Sequence, residues 1–232
     1  MRCPGMRYLM LDRREQLGGT WDLFRYPGIR SDSDMHTFAY DFAPWREEEV
    51  IASAAQIRSY LGRVVAEYDI AAKMRFGRQV ESANWDSQAG LWRVRSALAG
   101  GATEQIACRF LFLGTGYYDY DNPHDAAIPG LSAFKGKLIH PQFWPEDFDY
   151  SGKRIAVIGS GATAMTLVPA LTDKAGHVTM VQRSPTWVVS LPAEDRFANW
   201  LRRYLPSWLA YDITRFRKIA FQQFFFRMCR TQ

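Results

Sequence analysis

Apolar positions along the chain follow two periods. Between residues 53 and 68 they recur three and four apart, at Ile57, Tyr60, Leu61, Val64 and Val65, which predicts an amphipathic helix. Elsewhere the runs are short and strand-like. Residues 7–11 are apolar and end at Asp12, the pattern of a buried parallel strand with a carboxylate at its C-terminal end. Residues 74–85, 91–97 and 104–113 are three further runs, broken by turn residues at 86–90 and at Gly100 and Gly101, and predict a β-meander. Gly18, Gly19, Thr20 and Trp21 read as a turn. Residues 25–32 hold too much Pro and Gly for regular structure, and residues 117–151 read as a loop-rich linker.

A second unit begins at residue 154. A strand over 154–158, a glycine turn, a helix over 162–171 and a strand over 177–182 alternate as β-α-β, which predicts the three-stranded parallel start of a doubly wound sheet. Past Phe197 the spacing is helical, with a bend near Pro206.

The glycine turn brings the first candidate chemistry. Gly159, Gly161 and Ala164 form a Gly-x-Gly-x-x-Ala pattern directly after a strand and at the start of a helix. Gly159 permits the tight turn, Gly161 lets backbone approach a pyrophosphate, and Ala164 lets the helix pack on the strand. A plain strand-to-helix turn is the alternative. Where an acid usually holds a ribose 2′-hydroxyl, the chain has Arg183 and Ser184. An acid there repels a 2′-phosphate and an arginine binds it, so NADPH is expected over NADH, against the alternative of a solvated surface arginine. Asp12 stands at the corresponding ribose position of an earlier unit. The glycine loop that precedes such an acid is not found before it, and that unit is expected to be incomplete.

Composition narrows the function classes. The 232 residues are 47% hydrophobic and 23% charged, enough for one large domain or two small ones. A net charge of +5 supports only a mild preference for anionic ligands such as dinucleotide phosphates. Without a zinc-finger, RNP or basic-zipper pattern, no nucleic-acid partner is expected. Cys3, Cys108 and Cys229 lie far apart, so neither a disulfide framework nor a metal site is suggested, and reduced thiols in a cytoplasmic protein are the expectation. No apolar run suits a secretion signal or a membrane span.

The linker contains Phe134, Gly136, His140 and Trp144 in the spacing Phe-x-Gly-x-x-x-His-x-x-x-Trp, followed by Pro145. At this point the sequence resembles the Baeyer–Villiger flavoprotein monooxygenases, within the wider flavin-containing monooxygenases, where Tyr or Phe is usual at the Trp144 position. It is most similar to the ethionamide-activating subgroup. That likeness rests on Gly18 to Trp21, the loop 25–32, Ser31 to Met35, Gly116 to Tyr118 and Gln182 to Thr186.

The resemblance implies two dinucleotide-binding, Rossmann-like three-layer units of α/β class, both incomplete, with the meander in the first. Residues 1–150 are then a partial FAD-binding domain with linker, and 151–232 a partial NADPH-binding domain with a helical tail. It implies FAD and NADPH as cofactors. One oxygen atom from dioxygen is inserted into a ketone, or onto a sulfide, through a flavin C4a-peroxide. Asp12, Gly19, Thr20, Trp21, Asp32 and Gly116 would serve FAD; Gly159, Gly161, Ala164, Arg183 and Ser184 would serve NADPH. Asp32 and His140 are the catalytic candidates, His140 read first as a residue holding the linker and second as an acid–base group. The alternatives are a flavin-dependent N- or S-oxygenase and a non-catalytic truncated product that at most binds NADPH. For the aromatic, basic tail, packing under a further portion of the protein is preferred to a membrane-surface helix, and self-association through it is expected if it is uncovered.

Overall fold

The computed structural model describes residues 5–185, 188 and 192–230. In chain order its elements are β1 (Met10–Leu11), α1 (Thr20–Leu23), α2 (Met35–Phe38), α3 (Ala54–Glu67), β2 (Met74–Arg75), β3 (Arg78–Asp86), β4 (Leu91–Leu98) and β5 (Thr103–Cys108). There follow β6 (Arg154–Ile158), α4 (Ala162–Leu171), β7 (His177–Val181), α5 (Arg196–Tyr204) and α6 (Ser207–Arg230). The class is α/β, as expected. Cys3 and Thr186 lie outside the described residues.

The chain forms two compact units, each built from two segments: Met1–Leu23 with Leu61–His140, and Phe24–Tyr60 with Pro141–Gln232. This differs from a contiguous division at residue 150. Residues 24–60 join the C-terminal segment because they bond into it: Val50 N–H donates to Ala193 O at 2.7 Å, and Arg215 donates to His36 O at 3.1 Å.

In the first unit β1 pairs in parallel with β2, and β3, β4 and β5 form the antiparallel meander. The single apolar run expected over 74–85 is split between these two sheets. Gly77, at φ +61°, turns the chain between them, a conformation that only glycine adopts freely. Two expectations are corrected. The strand at 7–11 is neither long nor buried: β1 has two residues, and Tyr8, Leu9 and Met10 are exposed because only β2 flanks it among the described residues. The run 104–113 ends as a strand at Cys108. Cys108 pairs with Trp92, one residue from the start of β4, so Phe110, Phe112 and Leu113 have no strand to register against and lie exposed. The fully buried apolar side chains here are Val64 and Val94.

The second unit holds most of the core, including Met35, Trp45, Ile57, Tyr60, Leu167, Leu171 and Leu201. β6 and β7 pair in parallel with α4 as the crossover, as the β-α-β alternation predicts. Among the described residues the sheet has two strands rather than the expected three. Asp34 caps α2 by accepting from Thr37 N–H at 3.2 Å. Ser53 and Gln56 form a reciprocal capping box at the start of α3: Ser53 N–H donates to Gln56 Oε1 at 2.8 Å and Gln56 N–H to Ser53 Oγ at 3.3 Å. The bend at Pro206 separates α5 from α6, and Asp195 caps α5 while pairing with Arg217 and Lys218 of α6. Burial raises the Asp195 carboxyl, but the Ala198 N–H and the Lys218 ammonium outweigh it and hold the group below its ordinary value.

Candidate functional site

The residues singled out in the sequence divide between the two units. Asp12, Gly19, Thr20, Trp21, Gly116 and His140 lie in the first; Asp32, Gly159, Gly161, Ala164, Arg183 and Ser184 lie in the second.

In the second unit the glycine turn closes between β6 and α4. Gly159 has φ +129° and its N–H donates to Val181 O at 2.8 Å, which ties the turn to the end of β7. Gly161 is extended, at φ −77° and ψ −178°, a conformation open to any residue, so conformation does not explain the glycine there. Nor does crowding within the chain, since a Cβ built on Gly159 or Gly161 meets nothing within 4 Å and the space in front of the turn is open. Gly161 is also the N-cap of α4 and offers no side chain, so the first N–H groups of that helix have no side-chain partner. Ala164 is buried on the inner face of α4. Ser160 Oγ donates to Ser184 O at 3.4 Å, joining the glycine turn to the residues just past β7. Arg183 sits there, exposed, and enters no ion pair among the described residues. Together these place the uncapped N–H groups at the start of α4 and the exposed Arg183 on one edge of the sheet.

Asp32 is exposed on a backbone held from both sides. Buried Ser31 donates its N–H to Ala52 O at 2.8 Å and its hydroxyl to Ser33 O at 2.8 Å, and accepts from Ala52 N–H at 3.3 Å. The same loop is seated on α4 through Gly28, at φ +78°. Of the linker residues in this unit, Trp144 packs edge-on against Phe148 and Tyr150, with centroids 6.1 and 6.2 Å away.

In the first unit Asp12 follows β1 and accepts from Arg14 N–H at 2.9 Å through Oδ1. Gly18 and Gly19 both have positive φ, and Trp21 N–H donates to Gly18 O at 3.0 Å; the expected turn leads at Thr20 into the short helix α1, which the sequence reading did not include. Gly19 faces Tyr120, whose hydroxyl would lie 3.6 Å from an added Cβ. Arg13 makes two bonds to Asp121, at 2.6 and 2.8 Å, and lies over the Tyr120 ring. That pairing holds the Asp121 carboxyl below its ordinary value. A groove of about 560 Å³ opens beside this loop, lined by Arg13, Arg14, Gln16, Asp22, Gly77 and Gln79 among others. Gly116, at φ +72°, is exposed and stands clear of it.

His140 closes the first unit, and the division falls between it and Pro141. Burial, and then the nearby His124, push its imidazole below the ordinary value. Phe134 folds over Gly136: a Cβ there would meet the ring at 2.5 Å, and the exposed ring would have to swing aside to admit one.

Two buried groups escaped the sequence reading. Asp22, 1% exposed, accepts from Arg14 and from Gln16 Nε2 at 2.7 Å; His36, 4% exposed, has an Nε2 with no hydrogen-bond partner. Both sit on four-residue helices, too short for any periodicity to show which face is inward.

The family description "Flavin-binding monooxygenase-like" matches residues 29–210. The FAD-containing monooxygenase EthA of Mycobacterium tuberculosis is 47% identical over 230 residues, covering 99% of this chain and 47% of EthA. Among solved structures, oxidized steroid monooxygenase bound to NADP superposes with a TM-score of 0.72 at 29% identity, covering 87% of this chain and 39% of that one. OTEMO in complex with FAD and NADP gives 0.67 at 32% identity, covering 81% of this chain and 36% of that one. This chain spans about half the length of the curated relatives it matches. With the family match covering most of the chain, the protein belongs to the flavin-binding monooxygenase-like family.

Proposed function

We propose that this chain carries dinucleotide-handling parts of an FAD- and NADPH-dependent monooxygenase that inserts one oxygen atom of dioxygen into a ketone or adds it to a sulfide. The observation that supports it best is the uncapped start of α4 at Gly161, with exposed Arg183 just past the neighbouring strand β7. The residues present fit the groups. In the second unit the N–H groups at the start of α4 take the nicotinamide dinucleotide pyrophosphate, while Arg183 and Ser184 take its 2′-phosphate. In the first unit Asp12 accepts from an FAD ribose hydroxyl, and Gly19, Thr20, Trp21 and Gly116 line the same cofactor.

The flavin, when bound, supplies the redox chemistry, taking the hydride of NADPH and activating dioxygen. One oxygen atom goes to the product and the other to water, the two electrons coming from NADPH. The chain's own part is to orient and to exclude water. His140, the last residue of the first unit before Pro141, serves first as a linker anchor and second as an acid–base group. Trp144 followed by Pro145 favours the ketone reaction over a purely N- or S-directed one. Among the described residues no helix is long and apolar enough to cross a membrane.

The test is oxygen-18 labelling. With FAD, NADPH and labelled dioxygen, a panel of ketones should give esters carrying one labelled atom; labelled sulfoxides without esters would move the reading to S-oxygenation. Reduced cofactor consumed with no label in any product would defeat it.

A further inference from the structure

Asp22 is a buried carboxylate with both oxygens engaged. Gln16 Nε2 donates to Oδ1 at 2.7 Å and the Arg14 guanidinium pairs with Oδ2. Arg14 is held at its other end as well, since its backbone N–H donates to Asp12 Oδ1 at 2.9 Å. Its neighbour Arg13 is drawn away by two bonds to Asp121. The two cations that follow Asp12 are therefore each committed to a different acid, and neither side chain bonds the Asp12 carboxylate among the described residues. An arginine two residues from a carboxylate, in a loop that brings its N–H onto that carboxylate, would pair with it if nothing else held the side chain. All of these groups belong to the first unit, and Arg13, Arg14, Gln16 and Asp22 border one groove.

We infer that Asp22 is a positioning residue for the first dinucleotide site: by holding the Arg14 guanidinium it keeps that charge off Asp12, which stays available to accept from a ribose hydroxyl. The inference rests on the assignment of Asp12 to the FAD ribose made above. Asp22 acts through Arg14 and touches no ligand itself.

The experiment is a titration of FAD into the chain, followed by quenching of flavin fluorescence. Asp22→Asn keeps the shape of the side chain, removes its charge and frees Arg14; the dissociation constant should rise about tenfold, the effect of one charge-assisted hydrogen bond. Adding Arg14→Gln to Asp22→Asn removes the freed cation and leaves two amides that can bond each other, so affinity should return to within about threefold of the parent. A purely structural role for Asp22 predicts the opposite, since the double variant is then as weak as the single or weaker. Unchanged affinity in Asp22→Asn overturns the inference, as does failure of the second substitution to restore binding. Should Asp22→Asn not fold, the double variant decides alone: parent-like affinity supports the inference and weak binding overturns it. An Asp12→Ala variant separates the two levels, because parent-like FAD affinity there, or no FAD binding by the parent, defeats the ribose assignment itself and the inference with it.

Discussion

Gly28 lies so close to Thr166 that an added Cβ would stand 2.5 Å from the Thr166 carbonyl oxygen and 2.6 Å from Ala170 Cβ. The loop of residues 25–32 thus rests directly on the backbone of α4, the helix that opens at the glycine turn, and the loop also carries Asp32. Glycine is required twice, by the contact and by φ +78°.

Gly28→Ala is expected to cost about 2–4 kcal/mol, the sum of a left-handed alanine and an overpacked contact against backbone. Urea unfolding of the two proteins measures this. A change below about 0.5 kcal/mol, the size of an ordinary surface substitution, would show that the loop can lift from α4 without loss.

His36 predicts a pH dependence of stability. Burial pushes its imidazole down to about 4, with Asp34 and Asp195 opposing and Arg202 and Lys218 adding to the shift. The folded value lies below the ordinary 6.5, so on acidification the unfolded chain takes up the proton first. Stability is therefore full above about pH 6.5 and falls as the pH drops toward 4, by on the order of 3 kcal/mol in all. In His36→Leu this part of the slope should vanish in melting temperatures recorded from pH 7 to pH 4. An identical slope in parent and variant would place the acid sensitivity elsewhere.

What could be read in the sequence was what repeats or has a fixed local geometry. Helix α3 was placed within a residue by its three-and-four spacing, and the strand, glycine turn and helix at 154–171 by a pattern whose physical reasons are local. Non-local pairing was not legible. Residues 104–113 form one apolar run, yet β4 starts at Leu91 and cannot register with Phe110 or Phe112. Likewise nothing local shows that residues 24–60 pack with the C-terminal segment, since the seat of Gly28 on α4 joins positions more than a hundred residues apart. Of the candidate site, the glycines, Asp12 and Arg183 could be named from spacing alone. Asp22 was not, because its importance lies in two partners, Arg14 and Gln16, that no period relates to it.

The outer face of α6 predicts association. Phe216, Phe224 and Phe226 are 75%, 66% and 56% exposed, and only Ala210 and Thr214 of that helix are fully buried. These rings are spread around much of the helix circumference, and exposed apolar surface of that extent favours self-association. Size-exclusion chromatography of the chain should show species larger than a monomer, and Phe216→Ser combined with Phe224→Ser should shift them toward monomer. A monomeric parent at high concentration that binds no hydrophobic dye would contradict this.

The most direct measurement is calorimetric titration of the folded chain with NADPH and with NADH. The Gly159–Gly161 turn offers backbone donors to a pyrophosphate common to both, whereas Arg183 can distinguish them only through the 2′-phosphate. NADPH should bind at least about tenfold more tightly than NADH, and Arg183→Ala should abolish that difference while leaving NADH affinity unchanged. Equal affinity for the two cofactors in the parent, or a preference for NADPH that survives Arg183→Ala, would contradict the assignment of this edge as the NADPH site.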